Sequence, residues 1–218
     1  MMGIISGFLD LLFPPRCVFC RRFVKDSRDL ICADCRASLP YTRVGGEQHG
    51  DHFSVCVAPL YYEDEVRDSL LRYKFHDATG YADAYAELLA DCIRQNLAGR
   101  YDLISWVPLS RKRLKERGYD QSMLLALSTA LRLDDVAVST LKKVKDVEKQ
   151  STVGSEEKRR ANIAGAYEAE DAEMIAGKRI LLIDDIVTTG STLSECAATL
   201  KEAGAAEVLC AAVARSRD

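Results

Sequence analysis

Three groups of residues in this chain have types and spacing suited to chemistry. Asp184 and Asp185 close an apolar run, and Thr188, Thr189, Gly190, Ser191 and Thr192 follow at the start of a helix-like segment. Main-chain N–H groups at a helix start carry partial positive charge, and side chains this small let an anion reach them, so these five residues describe a phosphate cup. The two carboxylates would repel that phosphate at close range. Ribose hydroxyls, or a Mg2+ ion, are the partners that suit them. A cationic group lies upstream, where Arg111, Lys112, Arg113, Lys115 and Arg117 crowd against one acid, Glu116; an anion can be met there although the formal net charge is -3. The third group is sulfur. Cys17, Cys20, Cys32 and Cys35 form two C-x2-C turns separated by eleven residues, and four thiolates complete a tetrahedral Zn2+ shell with no place for water, which is a structural site. A redox pair is disfavoured because the motif is doubled, and four plain buried thiols by the surrounding Arg16, Arg21, Arg22 and Lys25.

The other four of the eight cysteines, Cys56, Cys92, Cys196 and Cys210, sit in apolar segments and read as small core residues. His49, His52 and His76 read as solvated. Residues 1–13 are apolar but carry no Lys or Arg ahead of the apolar run and are too short to span a bilayer. They read as a packing helix, so a cytoplasmic, reducing compartment without disulfides is the expectation.

The elements that must position these groups follow from periodicity. At 218 residues, 48% hydrophobic and 29% charged, the chain has room for one α/β domain and a small attachment. A glycine-rich polar link over 45–50 separates a module at 1–45, an N-terminal helix with the cysteine quartet, from a domain at 51–218. Strands are expected over 55–62, 103–109, 136–141, 179–183 and 207–214, and helices over 63–75, 81–97, 120–132 and 191–203. Alternation of this kind, with continuous apolar strands, implies an α/β fold with a Rossmann-like parallel sheet covered on both faces. Ligands of such sheets sit beyond the carboxyl ends of the strands, where Asp184 and the basic cluster both fall. Residues 145–165 are polar and long for an internal connection, and read either as a flap over the site or as disorder without function.

The run LIDDIVTTGSTL at 182–193 closely resembles the phosphoribosyl-pyrophosphate loop of type I phosphoribosyltransferases. With the cysteine quartet, VPLSRKRLKERGYDQS at 107–122, Gln150 and RRANIAGAYE at 159–168, nearly the whole chain resembles the ComF family, one of whose usual residues, an Asn, is replaced here by Asp120. The resemblance implies a type I phosphoribosyltransferase fold with an N-terminal zinc module. It assigns Asp184 and Asp185 to ribose hydroxyls, residues 188–192 to a 5-phosphate, and Pro108 to Arg111 to a pyrophosphate loop, with Ser110, Arg111, Lys112 and Arg113 as the groups for a pyrophosphate accompanied by Mg2+; Lys74, in RYKF at 72–75, is a further candidate cation. It also implies a role in DNA uptake during natural transformation, with single-stranded DNA and a competence translocation protein as partners.

Two function classes follow: a module binding 5-phosphoribosyl pyrophosphate or a related nucleotide-type ligand, and an active phosphoribosyltransferase on a nucleobase or amine acceptor. No residue stands out as a general base, so catalytic residues and the acceptor are not readable. An NTPase is set aside, because the two aspartates resemble a Walker B end but no G-x4-G-K-[ST] occurs. Loss of the metal is expected to leave the distant pocket mostly intact.

Overall fold

A computed structural model describes residues 14–25, 29–76, 78–145 and 165–217. The expected helix over 1–13 and nearly all of the segment 145–165 lie outside them. Among the described residues no helix is long and apolar enough to cross a membrane.

The main sheet is parallel throughout. β6 (Arg179–Val187) and β7 (Glu207–Arg215) form its centre, β3 (Leu103–Trp106) flanks β6, and the short β1 (Cys56–Val57) and β2 (Leu60–Tyr61) both pair with β7. β6 and β7 are apolar along nearly their whole length because both faces are covered, as parallel sheets require. Leu181, Ile183, Leu209, Ala211 and Val213 face one core, beneath α2 (Asp64–Phe75), α3 (Tyr81–Asn96) and α5 (Gln121–Leu133). Ile180, Leu182, Val208, Cys210 and Ala212 face the other, beneath α7 (Ser191–Glu202). Cys56, Cys92, Cys196 and Cys210 are buried as expected.

Local chemistry accounts for the departures from the sequence reading. The strand expected over 55–62 is two short strands, because Pro59 has no N–H for the ladder and Ala58 N–H is diverted to Gly45 O at 2.8 Å. The strand expected over 136–141 touches β3 through a single bridge, Ala137 to Ile104. Ser105 Oγ and Thr140 Oγ1 then pair at 2.7 Å, and the chain turns into β4 (Leu141–Lys143), antiparallel to β5 (Tyr167–Ala169) in a separate ribbon. The basic cluster forms α4 (Arg111–Arg117), which Ser110 caps and Gly118 ends at φ 80°. Two short helices, α1 (Ala33–Ser38) and α6 (Ala172–Ile175), complete the elements used below.

The cysteine segment is not set apart in space. Val18, Phe19, Ile31 and Leu39 belong to the same core as Leu70, Tyr85 and Leu89. The link over 45–50 is likewise held down, since Gln48 and Cys56 exchange N–H to O bonds at 2.9 and 2.7 Å.

Candidate functional site

The carboxyl ends of β3 and β6 lie side by side, Trp106 opposite Ile183, and the chain leaving β3 stays with β6 for one more bond, Val107 N–H to Ile183 O at 3.0 Å. This pairing sets residues 107–110 beside Asp184 and Asp185. Ser122, on the first turn of α5, donates its hydroxyl to Asp184 Oδ1 at 2.9 Å, and the same oxygen accepts Asp185 N–H at 2.9 Å. Asp185 is buried, and its Oδ1 meets Lys74 Nζ at 2.9 Å across from the last turn of α2. Burial works against the Lys74 charge, but the Asp185 carboxylate outweighs it and raises the ammonium above its ordinary range. Asp185 Oδ2 has no hydrogen-bond partner among the described residues. A buried carboxylate oxygen without a partner is the exception that calls for an explanation, and a ligand hydroxyl that reached it on binding would supply one.

Burial first, and then the neighbouring Asp185 carboxylate, push the Asp184 carboxyl up from 3.8 to about 7, against the pull of Lys74 and its own hydrogen bonds. A carboxyl raised on folding keeps its proton in the folded state where the unfolded chain has lost it. The stability linked to it is complete below about pH 4 and is lost as pH rises through about 7. Ligand-free protein is therefore expected to lose stability at this site across that window. Asp184→Asn should flatten the slope, and thermal unfolding of both proteins across the window measures it. Parallel slopes would reject the assignment.

The loop after β6 is held by its neighbours. Gly190 takes φ 76°, a left-handed conformation that favours glycine, and a Cβ there would lie 3.2 Å from Gln48 Nε2 and 3.3 Å from Phe53 Cζ. Gln48 Nε2 also donates to Thr188 O at 3.2 Å, and the Thr189 and Ser191 hydroxyls pair at 2.8 Å. Thr188 and Thr189 are exposed, and Ser191 and Thr192 half-buried, at the N-terminus of the twelve-residue α7. That helix end supplies the positive pole for an anion.

The basic cluster is arranged differently. Ser110 is buried and accepts Arg113 N–H at 3.4 Å, while Arg111 and Lys112 are exposed and Arg113 half-buried, so the cations stand on a short helix with no buried residue. Asp120 fixes the base of this helix: its Oδ2 accepts Leu109 N–H at 2.9 Å, and its Oδ1 accepts Ser122 and Met123 N–H, both at 3.0 Å. All three bonds need an acceptor, which a carboxylate supplies with both oxygens. Arg117 lies over the Phe75 ring at 4.9 Å, and its Nη1 is buried without a partner among the described residues.

Sequence reasoning gave no role to Gln48, Phe53 or Ser122, and read Arg117 only as one of the cationic group. Only Asp120 and Ser122 carried a local signal, an acidic residue followed by small polar ones at a helix start.

In the quartet, the sulfurs of Cys17, Cys20, Cys32 and Cys35 all lie within 4.8 Å of one another, with Cys20 and Cys32 at 3.6 Å. Four sulfurs at the usual Zn–S distance stand about 3.8 Å apart, so the donor set fits a tetrahedral ion. Arg22 Nε donates to Cys20 Sγ at 3.4 Å, a contact that favours the thiolate. The first turn is clamped from behind: Val18 O accepts from Ser69 Oγ at 2.6 Å and Arg72 Nη2 at 2.8 Å, and Phe19 O from Arg72 Nη2 at 2.8 Å.

Residues 120–218 match the phosphoribosyl transferase domain family and residues 8–57 the double zinc ribbon domain family. The chain is 26% identical to competence protein F of Haemophilus influenzae over 92% of its own length and 97% of that protein's. It is 31% identical to competence protein ComFC of Bacillus subtilis, over 66% of this chain and 57% of that one. Among solved structures it is similar to the allosteric regulatory enzyme of purine biosynthesis, with TM-score 0.44 and 21% identity over 64% of this chain and 29% of that one. It is also similar to adenine phosphoribosyltransferase of Thermoanaerobacter pseudethanolicus, with TM-score 0.38 and 16% identity over 63% and 81%. The fold is that of the type I phosphoribosyltransferases with a small zinc module, and the ribbon match and the cysteine geometry support structural zinc.

Proposed function

We propose that this chain, a member of the ComF family, binds 5-phosphoribosyl pyrophosphate or a related phosphoribosyl ligand with Mg2+ and acts in the cytoplasm in DNA uptake during natural transformation. The observation that carries the ligand reading is the order of groups at the end of β6: a buried carboxylate with an unpartnered oxygen, a second carboxylate beside it, then a loop of small residues at the start of α7. The aspartates suit the ribose hydroxyls, the loop suits the 5-phosphate, and Lys74 with the cations of α4 suits the pyrophosphate end. Lys74 is paired with Asp185 in the free protein, so ligand entry exchanges one anion for another beside it rather than bringing an anion to an unsatisfied cation.

Calorimetric titration of 5-phosphoribosyl pyrophosphate with Mg2+ into the full chain tests this. Saturable binding is expected, and its absence with and without Mg2+ counts against the reading. Transfer of the phosphoribosyl group to an acceptor is the second reading, favoured by the same carboxylate pair; release of pyrophosphate in a screen of nucleobases and amines would establish it. Direct binding of single-stranded DNA has less support in the basic stretches, because Arg22 is paired with Asp34 at 2.7 Å and Lys142 with Glu168 at 3.0 Å. A steep loss of DNA affinity with added salt would show phosphate contacts elsewhere.

A further inference from the structure

A cavity of about 220 Å³ lies between residues 49–53 and the first turns of α7. One wall is the phosphate cup, Thr189 to Ser191, continued by Ser194; the other holds His49 and His52. The second wall is rigid. Phe53 is buried against Gly190, Ser54 N–H reaches Val208 O at 2.9 Å, and a Cβ on Gly50 would stand 2.2 Å from the Phe53 ring. His49 Nδ1 donates to Ser54 O at 2.6 Å, since a carbonyl can only accept, and this leaves Nε2 as the ring atom open to a ligand. Ser194 Oγ is buried and has no hydrogen-bond partner among the described residues.

We infer that His49 and His52 form the second half of the phosphate site and bind the 5-phosphate of the phosphoribosyl ligand, opposite the main-chain N–H groups of the loop. The inference rests on the phosphoribosyl reading above and adds residues to it. A phosphate held only by a helix end is open to water on its outer side; two imidazoles there can meet the oxygens the loop does not reach, His49 through Nε2 when that nitrogen carries a proton. Two acids also line the cavity, Asp51 and Glu195, and Glu195 Oε1 accepts Gly165 N–H at 2.6 Å. Their charge opposes any anion, and a polyphosphate chain more than a single phosphate, which assigns this cavity to the 5-phosphate end and leaves the pyrophosphate to the cations of α4.

Ribose 5-phosphate and, separately, pyrophosphate with Mg2+ are titrated into the full chain and into a His49→Gln, His52→Gln variant. Both imidazoles are exposed, so the variant should unfold at the wild-type temperature. Ribose 5-phosphate affinity should fall by about tenfold or more, with pyrophosphate affinity within about twofold. In the wild type, ribose 5-phosphate should also move the imidazole NMR resonances of both histidines, a readout that needs no variant. Unchanged ribose 5-phosphate affinity, an equal loss for both ligands, or unmoved resonances overturns the inference. If the wild type binds 5-phosphoribosyl pyrophosphate while the variant matches it on every ligand, only the role of the histidines fails; if the wild type binds none of the ligands, the phosphoribosyl reading fails as well.

Discussion

Asp185→Asn is expected to lower stability by on the order of 3 kcal/mol and to weaken 5-phosphoribosyl pyrophosphate binding about a hundredfold, two effects with separate causes. The first comes from Lys74. Its ammonium lies 2.9 Å from Asp185 Oδ1 with the carboxylate side chain only 4% exposed, so removing the negative charge leaves a largely buried cation without its counterion. The second comes from the unpartnered Oδ2, which an amide replaces with a group that cannot accept from two hydroxyls in the same way. The double variant Lys74→Met, Asp185→Asn separates them. Stability should largely return, because the unpaired charge has gone, while ligand affinity stays low. Denaturant unfolding and calorimetry on the wild type, both single variants and the double variant complete the cycle, Lys74→Met alone giving the share of affinity that belongs to the pyrophosphate end. A single variant as stable as the wild type would show that Lys74 rehydrates freely; a double variant that regains affinity would remove Asp185 from the ligand site.

Cys17→Ser is expected to strip the zinc and, unlike the sequence expectation of an undisturbed pocket, to weaken the phosphoribosyl site too. Metal binding in closed cysteine sites is folding free energy, on the order of 10 kcal/mol in isolated fingers. Here that energy holds a turn whose carbonyls, Val18 O and Phe19 O, are gripped by Ser69 and Arg72 of α2. Tyr73 and Lys74 come next on the same helix. Tyr73 hydroxyl donates to Gln121 O at 2.7 Å at the start of α5, Tyr119 hydroxyl donates to Tyr73 O, and Lys74 reaches Asp185. Released from the turn, α2 loses the contacts that aim Lys74. Metal analysis, thermal unfolding and ligand titration of the variant and of chelator-treated wild type measure each link. Zinc at the wild-type level would dismiss the quartet, and zinc lost with affinity unchanged would dismiss the transmission through α2.

How much could be read beforehand depended on whether a residue acts through its neighbours in the chain or through distant ones. The apolar runs of β6 and β7 and the periodicity of α3, α5 and α7 are local, and their elements lie within a few residues of expectation. The cysteine spacing is local as well. By contrast, the basic cluster has no apolar periodicity to mark a helix, yet Ser110 and Gly118 cap it into one. The ion pair of Lys74 with Asp185 spans about half of the chain, and the Gln48 contact with Thr188 spans 140 residues. No spacing rule connects such positions. Residues 45–50 look flexible because glycines and polar groups normally mark linkers, whereas here the glycines let the backbone pass close to Thr42, Asn96 and Phe53.

The shared core of the cysteine segment and α2 and α3 bears on how such a protein can be inherited or dissected. A metal knuckle that folds on its own can be gained, lost or exchanged as a cassette. This one cannot be removed so simply, because Val18, Phe19 and Ile31 would leave Leu70, Tyr85 and Leu89 facing water. A lineage that discarded the cysteines would have to rebuild that face with other side chains, keeping Val18 O and Phe19 O in place for Arg72. Truncation at residue 45 would therefore yield aggregated material and not a smaller working enzyme or binder.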